Sequence, residues 1–330
     1  MASESRHHHY IPQCYLRGFG IGSGKHCKLT VGVLDSYRWF STNPRNVAGV
    51  RDFNKVSLDG VDADALEKQL ALFESEVATA LREVSKSHAF DGESKIVLLN
   101  FIALLSLRSP QQRECWSEFE NRVLKKVMTL ALASKERWES QLRQAGITTD
   151  SGPTYEEIKK FHQDDEYTFK IQTDHHIGLE LGAVDTVLET LIGRKWRLIL
   201  TDDSIGCFIT SDQPVTLDWL DPTNLPPLIR RSPGHGLLNT VVGFPLSRHL
   251  FLFGVYEGVD ETIVADASMV ALLNTSQTAK AFQQIYAPKK TFPYLAPDKT
   301  FRHDNHLLDV LEACGRESRA SQIRGEVDVG

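Results

Sequence analysis

The chain has 330 residues, of which 41% are apolar and 24% charged, proportions that are ordinary for a globular protein. Its formal net charge of −6 excludes an overall basic surface that would attract nucleic acid by charge alone. A nucleic-acid substrate would therefore need a local basic groove.

The distribution of apolar residues and cysteines bears on location. No apolar run reaches the roughly 18 residues of a membrane-spanning helix, and the N-terminal stretch lacks the apolar core of a signal peptide. The five cysteines are scattered without a CxxC pair, which is typical of reduced thiols rather than of a disulfide framework. We therefore expect a cytoplasmic protein with no membrane partner.

The first half of the chain is predicted to be mainly helical. Residues 28–41 have the pattern of a β-hairpin. Apolar residues recur at three- and four-residue intervals over 62–88, the period of one buried helical face. Residues 93–108 are apolar on nearly all sides, as expected of a buried helix. A longer amphipathic helix is predicted over 111–143, and a turn at Asp150–Pro153 follows it.

The second half of the chain mixes helices with strands. Helices are predicted at 154–162, 173–193 and 260–285, and strands at 195–201, 206–210, 240–244 and 249–256. The proline-rich loop 218–236 is long enough to cover a site. Strand pairs between helical blocks indicate an α+β fold, with a central, mostly antiparallel sheet packed against a helical bundle.

This pattern predicts one α+β domain over residues 1–312. Its helix-rich half is at about 60–193, and its sheet-rich half is at about 195–290 together with the 28–41 hairpin. A polar, flexible tail is predicted at 313–330.

Several catalytic signatures are absent from the sequence. It contains no Walker loop, no GxGxxG, no HExxH and no GxSxG. The histidines and cysteines near the N-terminus also match no zinc-finger spacing; they are His8, His9, Cys14, His26 and Cys27. The candidate site is therefore a dispersed set of polar residues in apolar surroundings.

Short motifs along the chain resemble one family. HHYIPQCYLRGF at residues 8–19 resembles the opening of the bacterial family catalogued as domain of unknown function 4238, whose members begin His-Tyr-Val/Ile-Pro-Gln-x-Tyr-Leu-x-x-Phe. The other resembling segments are Asn43-Pro44 through Asp52-Phe53, Glu67 and Glu74, Leu107–Pro110, Phe208–Pro214, Phe244–Ser247 and Leu273-Asn274. Cys14 departs from the bulky apolar residue usual in the family. The resemblance covers about 7–288 and implies a site without implying an activity.

The histidines of the opening motif are candidate catalytic residues. His8 and His9 precede an aromatic and aliphatic segment that Pro12 stiffens. An imidazole held there titrates near neutral pH and is suited to general acid or base catalysis. The alternatives are a hydrogen-bonded structural histidine and a remnant of an affinity tag. The motif continues without a break after Tyr10, which argues against a tag.

Charged residues elsewhere complete the candidate site. Glu67 and Glu74 are two helical turns apart and project on the same side, so they are suited to hold magnesium or manganese or to divide acid and base roles. A solvated helix face is the alternative. Arg108 ends an apolar helix, where it would clamp a phosphate or carboxylate, or form a structural ion pair with Glu67, Glu74 or Asp212.

The strand-to-turn motif adds further candidates. Asp212 follows an apolar strand and would accept a proton, orient a histidine or bind a metal, while Ser211 would orient a neighbouring group. The alternative is that both side chains satisfy turn amides. Asn274 lies in an apolar helix and is expected to hydrogen-bond to the site or the strand ends.

Together these residues predict a hydrolase, most specifically a nuclease or phosphodiesterase that acts as a bacterial defence or toxin-type effector. The candidate catalytic residues are His8, His9, Arg108, Ser211 and Asp212, and the candidate ligand-binding residues are Tyr10, Glu67, Glu74 and Asn274. The alternative is a non-catalytic sensor or binding module for an anionic ligand or a partner protein. Three basic pairs would line a nucleic-acid path, although ordinary surface charge explains them equally; they are Lys125-Lys126, Arg230-Arg231 and Lys289-Lys290.

Overall fold

The computed structural model of the chain describes residues 7–57, 59–147, 152–230 and 232–314. The helices are α1 (Gln13–Leu16), α2 (Ala65–Ser87), α3 (Gly92–Leu107), α4 (Pro110–Ala131), α5 (Lys135–Gln144), α6 (Tyr155–Asp164), α7 (Thr173–Ile192), α8 (Pro227–Arg230) and α9 (Ala267–Lys280). The strands are β1 (His7–His9), β2 (Leu29–Val33), β3 (Arg38–Thr42), β4 (Gly49–Arg51), β5 (Lys195–Leu200), β6 (Thr210–Ser211), β7 (Thr216–Trp219), β8 (Thr240–Ser247), β9 (Leu250–Val255), β10 (Glu261–Val264), β11 (Gln284–Ala287), β12 (Phe292–Leu295) and β13 (Phe301–Asp304).

The fold is α+β, as the sequence predicts, with strands that are mostly antiparallel. The larger sheets have the strand orders β10-β5-β9-β8-β7 and β3-β2-β11-β6, and the pairs β1-β4 and β12-β13 form smaller ones. Strands β2 and β3 form the predicted hairpin, in which Leu29 pairs with Thr42. The exception to antiparallel pairing is β10, which runs parallel to β5.

One large apolar cluster joins both larger sheets to the helices α2 and α3. The helix α3 contributes buried residues from nearly every side, as its composition predicts. Tyr15 from α1 lies in the same cluster, and its ring stacks on Phe244 of β8 with centroids 5.2 Å apart. The N-terminal segment is therefore part of the core and not an appendage.

Two predicted helices are shorter in the structure. The helix predicted over 111–143 ends at Ala131 and restarts at Lys135, because the Ser134 side chain caps the new helix by accepting from the Arg137 N–H at 3.3 Å. The helix predicted over 260–285 is wrong at both ends. Asp266 caps α9 in the same way, and the β-branched residues Thr262–Val264 before it form β10 instead.

Six further strands form where the sequence predicts none, namely β1, β4, β7, β11, β12 and β13. The strand predicted over 206–210 begins only at Thr210, because Gly206 adopts a positive φ of 135°. The loop predicted over 218–236 contains the end of β7 and the helix α8. Of the turn predicted at Asp150–Pro153, Asp150 and Ser151 lie outside the described residues.

Contacts divide the described chain into two compact units. One comprises the described residues up to Ser109 and from Ile177 onward, and the other is Pro110–His176. All the candidate catalytic and ligand-binding residues belong to the first unit. The single domain over 1–312 stays a prediction, and residues 315–330 of the predicted tail lie outside the described residues. None of the helices in the described ranges is both long and apolar enough to span a membrane.

Candidate functional site

The three adjacent histidines form strand β1, which pairs with β4 so that His8 lies opposite Val50. Side chains alternate across a strand, and accordingly His8 is buried, whereas His7 is exposed and His9 is half-buried. The next residues, Tyr10 and Ile11, are also buried. This placement within the fold contradicts an affinity-tag remnant and makes the segment a wall of the candidate site.

Asn54 is the centre of a buried hydrogen-bond network beneath this strand. Its backbone N–H donates to Nδ1 of His8 at 2.9 Å. Its side-chain amide donates to Oε2 of Glu67 at 2.5 Å, while its side-chain oxygen accepts from Nη2 of Arg108 at 2.5 Å. The same Arg108 nitrogen donates to the His9 carbonyl at 3.3 Å. Asn54 thus joins residues from β1, α2 and the end of α3.

Arg108 is buried and its guanidinium also lies over the Phe53 ring, 5.5 Å from the centroid. A guanidinium in such a position is held by several partners at once. Its contacts with Asn54 and the His9 carbonyl make Arg108 a positioning residue for the His9 backbone. These contacts support the structural alternative for Arg108 over direct clamping of a phosphate.

Glu74 and His9 have pKa values displaced in opposite directions. Burial, reinforced by the charge of Glu67, raises the pKa of Glu74 to about 7, and the positive charge of Arg108 opposes this rise only in part. Burial lowers the pKa of His9, although its Nε2 atom lies 3.1 Å from the Arg45 carbonyl and the Glu67 charge favours protonation. Near neutral pH a substantial fraction of the Glu74 carboxyl is therefore protonated, while the His9 imidazole is mostly neutral.

Asp212 lies beyond Tyr10, and its carboxylate is held by the backbone. It accepts from the N–H groups of Phe282, Gln283 and Gln284 at 2.8, 2.6 and 3.0 Å. Burial raises the pKa of Asp212, and these backbone bonds oppose the rise. A carboxylate with three backbone donors is suited to fastening a turn, which is the structural alternative for this residue.

Two tyrosines connect Asp212 to the opening strand. Burial and the negative charge of Asp212 raise the pKa of Tyr10, whose hydroxyl shares a side-chain hydrogen bond with Tyr286. Tyr286 in turn donates to the side-chain oxygen of Gln284 at 3.0 Å. The polar region around Asn54 therefore includes His9 and Arg108, whereas Asp212 is connected to it through Tyr10 and Tyr286, whose rings lie in the apolar cluster.

The side chains of Ser211 and Asn274 hydrogen-bond inside the protein, mostly to the backbone. The Ser211 hydroxyl donates to the Gln213 carbonyl at 2.9 Å and accepts from Nε2 of Gln277 at 2.6 Å. The Asn274 side chain accepts from the Ile209 N–H at 3.0 Å and donates to the carbonyls of Cys207 and Pro293 at 3.0 and 2.9 Å. Both side chains hold strand ends in place.

No candidate site residue belongs to a group of three metal-binding side chains within the described part of the chain. Among the described residues, Glu67 and Glu74 thus belong to no group of three such donors that all lie within 4.8 Å of one another. One member of each of two basic pairs already has a partner within the protein. Lys125 forms an ion pair with Asp165 at 2.5 Å, Arg230 donates to the Thr223 carbonyl at 3.3 Å, and Arg231 lies outside the described residues.

Two residues of the network were missed by sequence reasoning. Asn54 directly follows the Asp52-Phe53 segment, and this position beside a motif is the signal that the sequence offers. Its burial is visible in the structure. Tyr286 directly follows the helix predicted over 260–285 and lies in β11. No local pattern separates such a tyrosine from an ordinary core residue.

Comparison with known proteins agrees with the motif resemblance. The family model described as "Protein of unknown function (DUF4238)" matches residues 7–291. No curated protein and no solved structure matches the chain. The matched range includes β1, α2, the end of α3 and the strand-to-turn segment, which are the elements that carry most of the candidate site residues. The chain belongs to the DUF4238 family, whose proteins are of unknown function.

Proposed function

We propose that the chain is a hydrolase of phosphodiester bonds, a nuclease or a phosphodiesterase, with His9 and Glu74 as its base and acid. The observation that carries this proposal is the opposite displacement of their pKa values. Pairs of titratable groups driven apart in this way are characteristic of acid–base sites. Both side chains are also only partly buried, as groups that meet a substrate must be.

The proposed step assigns one proton transfer to each residue. Neutral His9 takes a proton from water as the water oxygen bonds to phosphorus. Protonated Glu74 gives its proton to the leaving oxygen as the phosphorus–oxygen bond breaks. Glu67 stabilises the imidazolium that forms, since its charge favours protonated His9. Arg108 and Asn54 position these groups through the His9 carbonyl and the Glu67 carboxylate.

The setting of the activity is part of the same proposal. A cytoplasmic effector of bacterial defence or toxicity is consistent with five cysteines that are all free thiols, as reducing compartments favour. Nucleic acid is the proposed substrate, and smaller phosphodiesters are the alternative within the same chemistry.

The test is cleavage of labelled RNA, single-stranded DNA, duplex DNA and a small chromogenic phosphodiester, each with and without magnesium or manganese. His9→Gln and Glu74→Gln are expected to lower the rate by roughly 100-fold or more. The controls are His7→Gln, an exposed neighbour in the same strand, and Glu76→Gln, an exposed residue of α2; both are expected to keep the wild-type rate. Equal loss in the controls, or none in the site variants, would contradict the proposal.

A second function is favoured by a different observation. Arg108, Asp212, Ser211 and Asn274 all hydrogen-bond within the protein, as they would in a binding module that recognises an anionic ligand or a partner protein without catalysis. Absence of cleavage of every substrate, together with saturable binding of one of them that His9→Gln weakens, would establish this function instead.

A further inference from the structure

Outside the polar region around Asn54, three metal-binding side chains meet at one end of the five-stranded sheet. Asp203 and Cys207 lie on the loop after β5, and His249 lies in the turn between β8 and β9. We propose that Asp203, Cys207 and His249 form a zinc-binding site with three protein ligands and an open fourth position. This site is independent of the proposed hydrolytic residues.

The three donor atoms already have the spacing of a coordination shell. The Cys207 sulfur lies 3.3 Å from Oδ1 of Asp203, and Nε2 of His249 lies 3.1 Å from the same oxygen. All three donors lie within 4.8 Å of one another. Tetrahedral zinc with bonds of about 2.0–2.3 Å places neighbouring ligand atoms about 3.3–3.5 Å apart. Small side-chain movements would therefore bring all three onto one ion.

The identity of the donors selects the metal. A thiolate, an imidazole and a carboxylate together are the ligands of zinc sites, whereas magnesium and calcium prefer oxygen ligands throughout. With three protein ligands, zinc keeps a fourth position for water or another small ligand. Asp203 is 67% exposed and His249 is 35% exposed, so this position faces solvent.

Backbone contacts fix both segments that carry the ligands. The Thr201 N–H donates to the His249 carbonyl at 2.9 Å, and the Phe208 N–H donates to the Arg248 carbonyl at 2.8 Å. Within the loop, the Asp202 carboxylate accepts from the Ser204 N–H at 2.8 Å. The Cys207 carbonyl accepts from Asn274 of α9 at 3.0 Å. The loop and the turn are thus held together before any metal binds, which lowers the ordering cost of coordination.

Two neighbouring positive charges oppose cation binding. Arg248 lies in electrostatic range of Asp203 and Cys207, and Lys289 in that of Cys207, but Nη1 of Arg248 donates to the Gly20 carbonyl at 3.4 Å. A thiolate and a carboxylate balance the charge of a zinc ion, so the site accepts a divalent cation despite these two residues.

The test replaces zinc with cobalt(II), whose spectrum reports its ligands. The full chain is prepared without an added polyhistidine tag, treated with a chelator under reducing conditions, and titrated with cobalt(II). One equivalent is expected to produce a sulfur-to-cobalt charge-transfer band and the intense visible bands of tetrahedral coordination, which zinc then abolishes. His7–His9 are a competing site for cobalt, but they contain no thiolate and cannot produce the charge-transfer band.

Variants assign the band to this cluster. Cys207→Ser is expected to remove the charge-transfer band. His249→Gln is expected to weaken cobalt binding by roughly 100-fold or more, which exceeds the usual effect of losing a residue that only hydrogen-bonds to a metal ligand. Cys115→Ser, an exposed cysteine, and His306→Gln, an exposed histidine 2.9 Å from Asp309, are the controls and are expected to behave as wild type. Circular dichroism without metal verifies that every variant folds. Absence of the band in the folded wild type, its persistence in Cys207→Ser, or its loss in the controls would overturn the proposal.

Discussion

At the scale of single residues, Asn54 unites the polar region. Its side chain is fully buried and supplies one donor to Glu67 and one acceptor to Arg108. Its backbone N–H also fixes the ring of His8. Loss of this side chain would leave Glu67 and Arg108 without their shared partner. This costs far more free energy of folding than the loss of an exposed hydrogen bond does.

We therefore expect Asn54→Ala to lower the free energy of unfolding by about 2–4 kcal/mol. Asn46→Ala is the matched control, because exposed Asn46 makes one side-chain hydrogen bond to Thr42 at 2.9 Å; its cost is expected to be under about 0.5 kcal/mol. Urea denaturation of both variants measures the difference. Equal costs would show that the network does not contribute to stability.

Glu74 gives the stability of the chain a specific pH dependence. Its pKa is about 7 in the fold against 4.5 for an unperturbed glutamate, so the folded state binds the proton more tightly than the unfolded chain does. This contribution is fully present below pH 4.5 and is lost as the pH rises through about 7. The displacement corresponds to up to about 3 kcal/mol.

Replacing this carboxyl isolates its contribution. Relative to wild type, Glu74→Gln is expected to gain unfolding free energy between pH 5 and 8, since the amide has no proton to lose. Glu76→Gln, exposed on the same helix, is expected to follow the wild-type pH dependence. Chemical denaturation at several pH values provides the comparison. If wild type and Glu74→Gln change in parallel, the pKa of Glu74 is ordinary.

At the scale of elements, Asp212 ties the end of β6 to the start of β11. Three consecutive backbone N–H groups at residues 282–284 donate to its carboxylate. The segment from Phe208 to Pro214, which is recognisable as a motif, therefore has a structural role in holding two strands together. A segment can be recognised as a motif in the sequence without having a catalytic role.

Removal of this carboxylate tests its structural role. Asp212→Ala is expected to cost about 2–4 kcal/mol, because three backbone donors lose their acceptor, and Asp212→Asn is expected to cost less since it keeps one acceptor oxygen. Asp221→Ala is the control, an exposed aspartate that accepts from the Thr223 N–H at 2.9 Å. Thermal unfolding ranks the three variants. A stable Asp212→Ala would remove the structural role and favour a chemical one.

Helices with a clear apolar period were predictable from the sequence, as α2 and α3 show. The ends of the helix predicted over 260–285 were not predictable, because β10 and β11 border α9 and are too short to display the alternating period of a strand. Their strand state comes from pairing with β5 and β2, which are distant in sequence. Local patterns contain no record of such partners.

At the scale of the whole molecule, the motifs identified residues that the fold brings into one region. His9, Glu67 and Arg108 come from β1, α2 and the end of α3 and are linked by hydrogen bonds of Asn54 and Arg108, and Glu74 lies in electrostatic range of Glu67 and Arg108. The sequence could not separate residues that hold the region from residues free to react. That distinction depends on burial and hydrogen bonds, which place Arg108 and Asp212 among the holding residues and leave His9 and Glu74 partly exposed.

The overall charge limits how the chain would bind nucleic acid. With a formal net charge of −6 and with Lys125 and Arg230 already held by partners within the protein, we expect few phosphate contacts, on the order of two. The affinity for an RNA or DNA oligonucleotide should then fall by about tenfold between roughly 50 and 200 mM salt, rather than by the thousandfold or more of extensive phosphate contacts. Fluorescence anisotropy measures this slope. A steep salt dependence would reveal a basic groove.

The proposed acid–base site requires a protonated Glu74 and a neutral His9 to coexist near neutral pH. NMR titration of the carboxyl carbon of Glu74 and the imidazole of His9 in the full chain measures both pKa values directly, with Glu74→Gln and His9→Gln assigning the signals. We predict a pKa of about 7 for Glu74 and a value below about 6.5 for His9. A Glu74 carboxyl that titrates near 4.5, or a His9 imidazole that is protonated at neutral pH, would contradict the acid and base roles proposed for these residues.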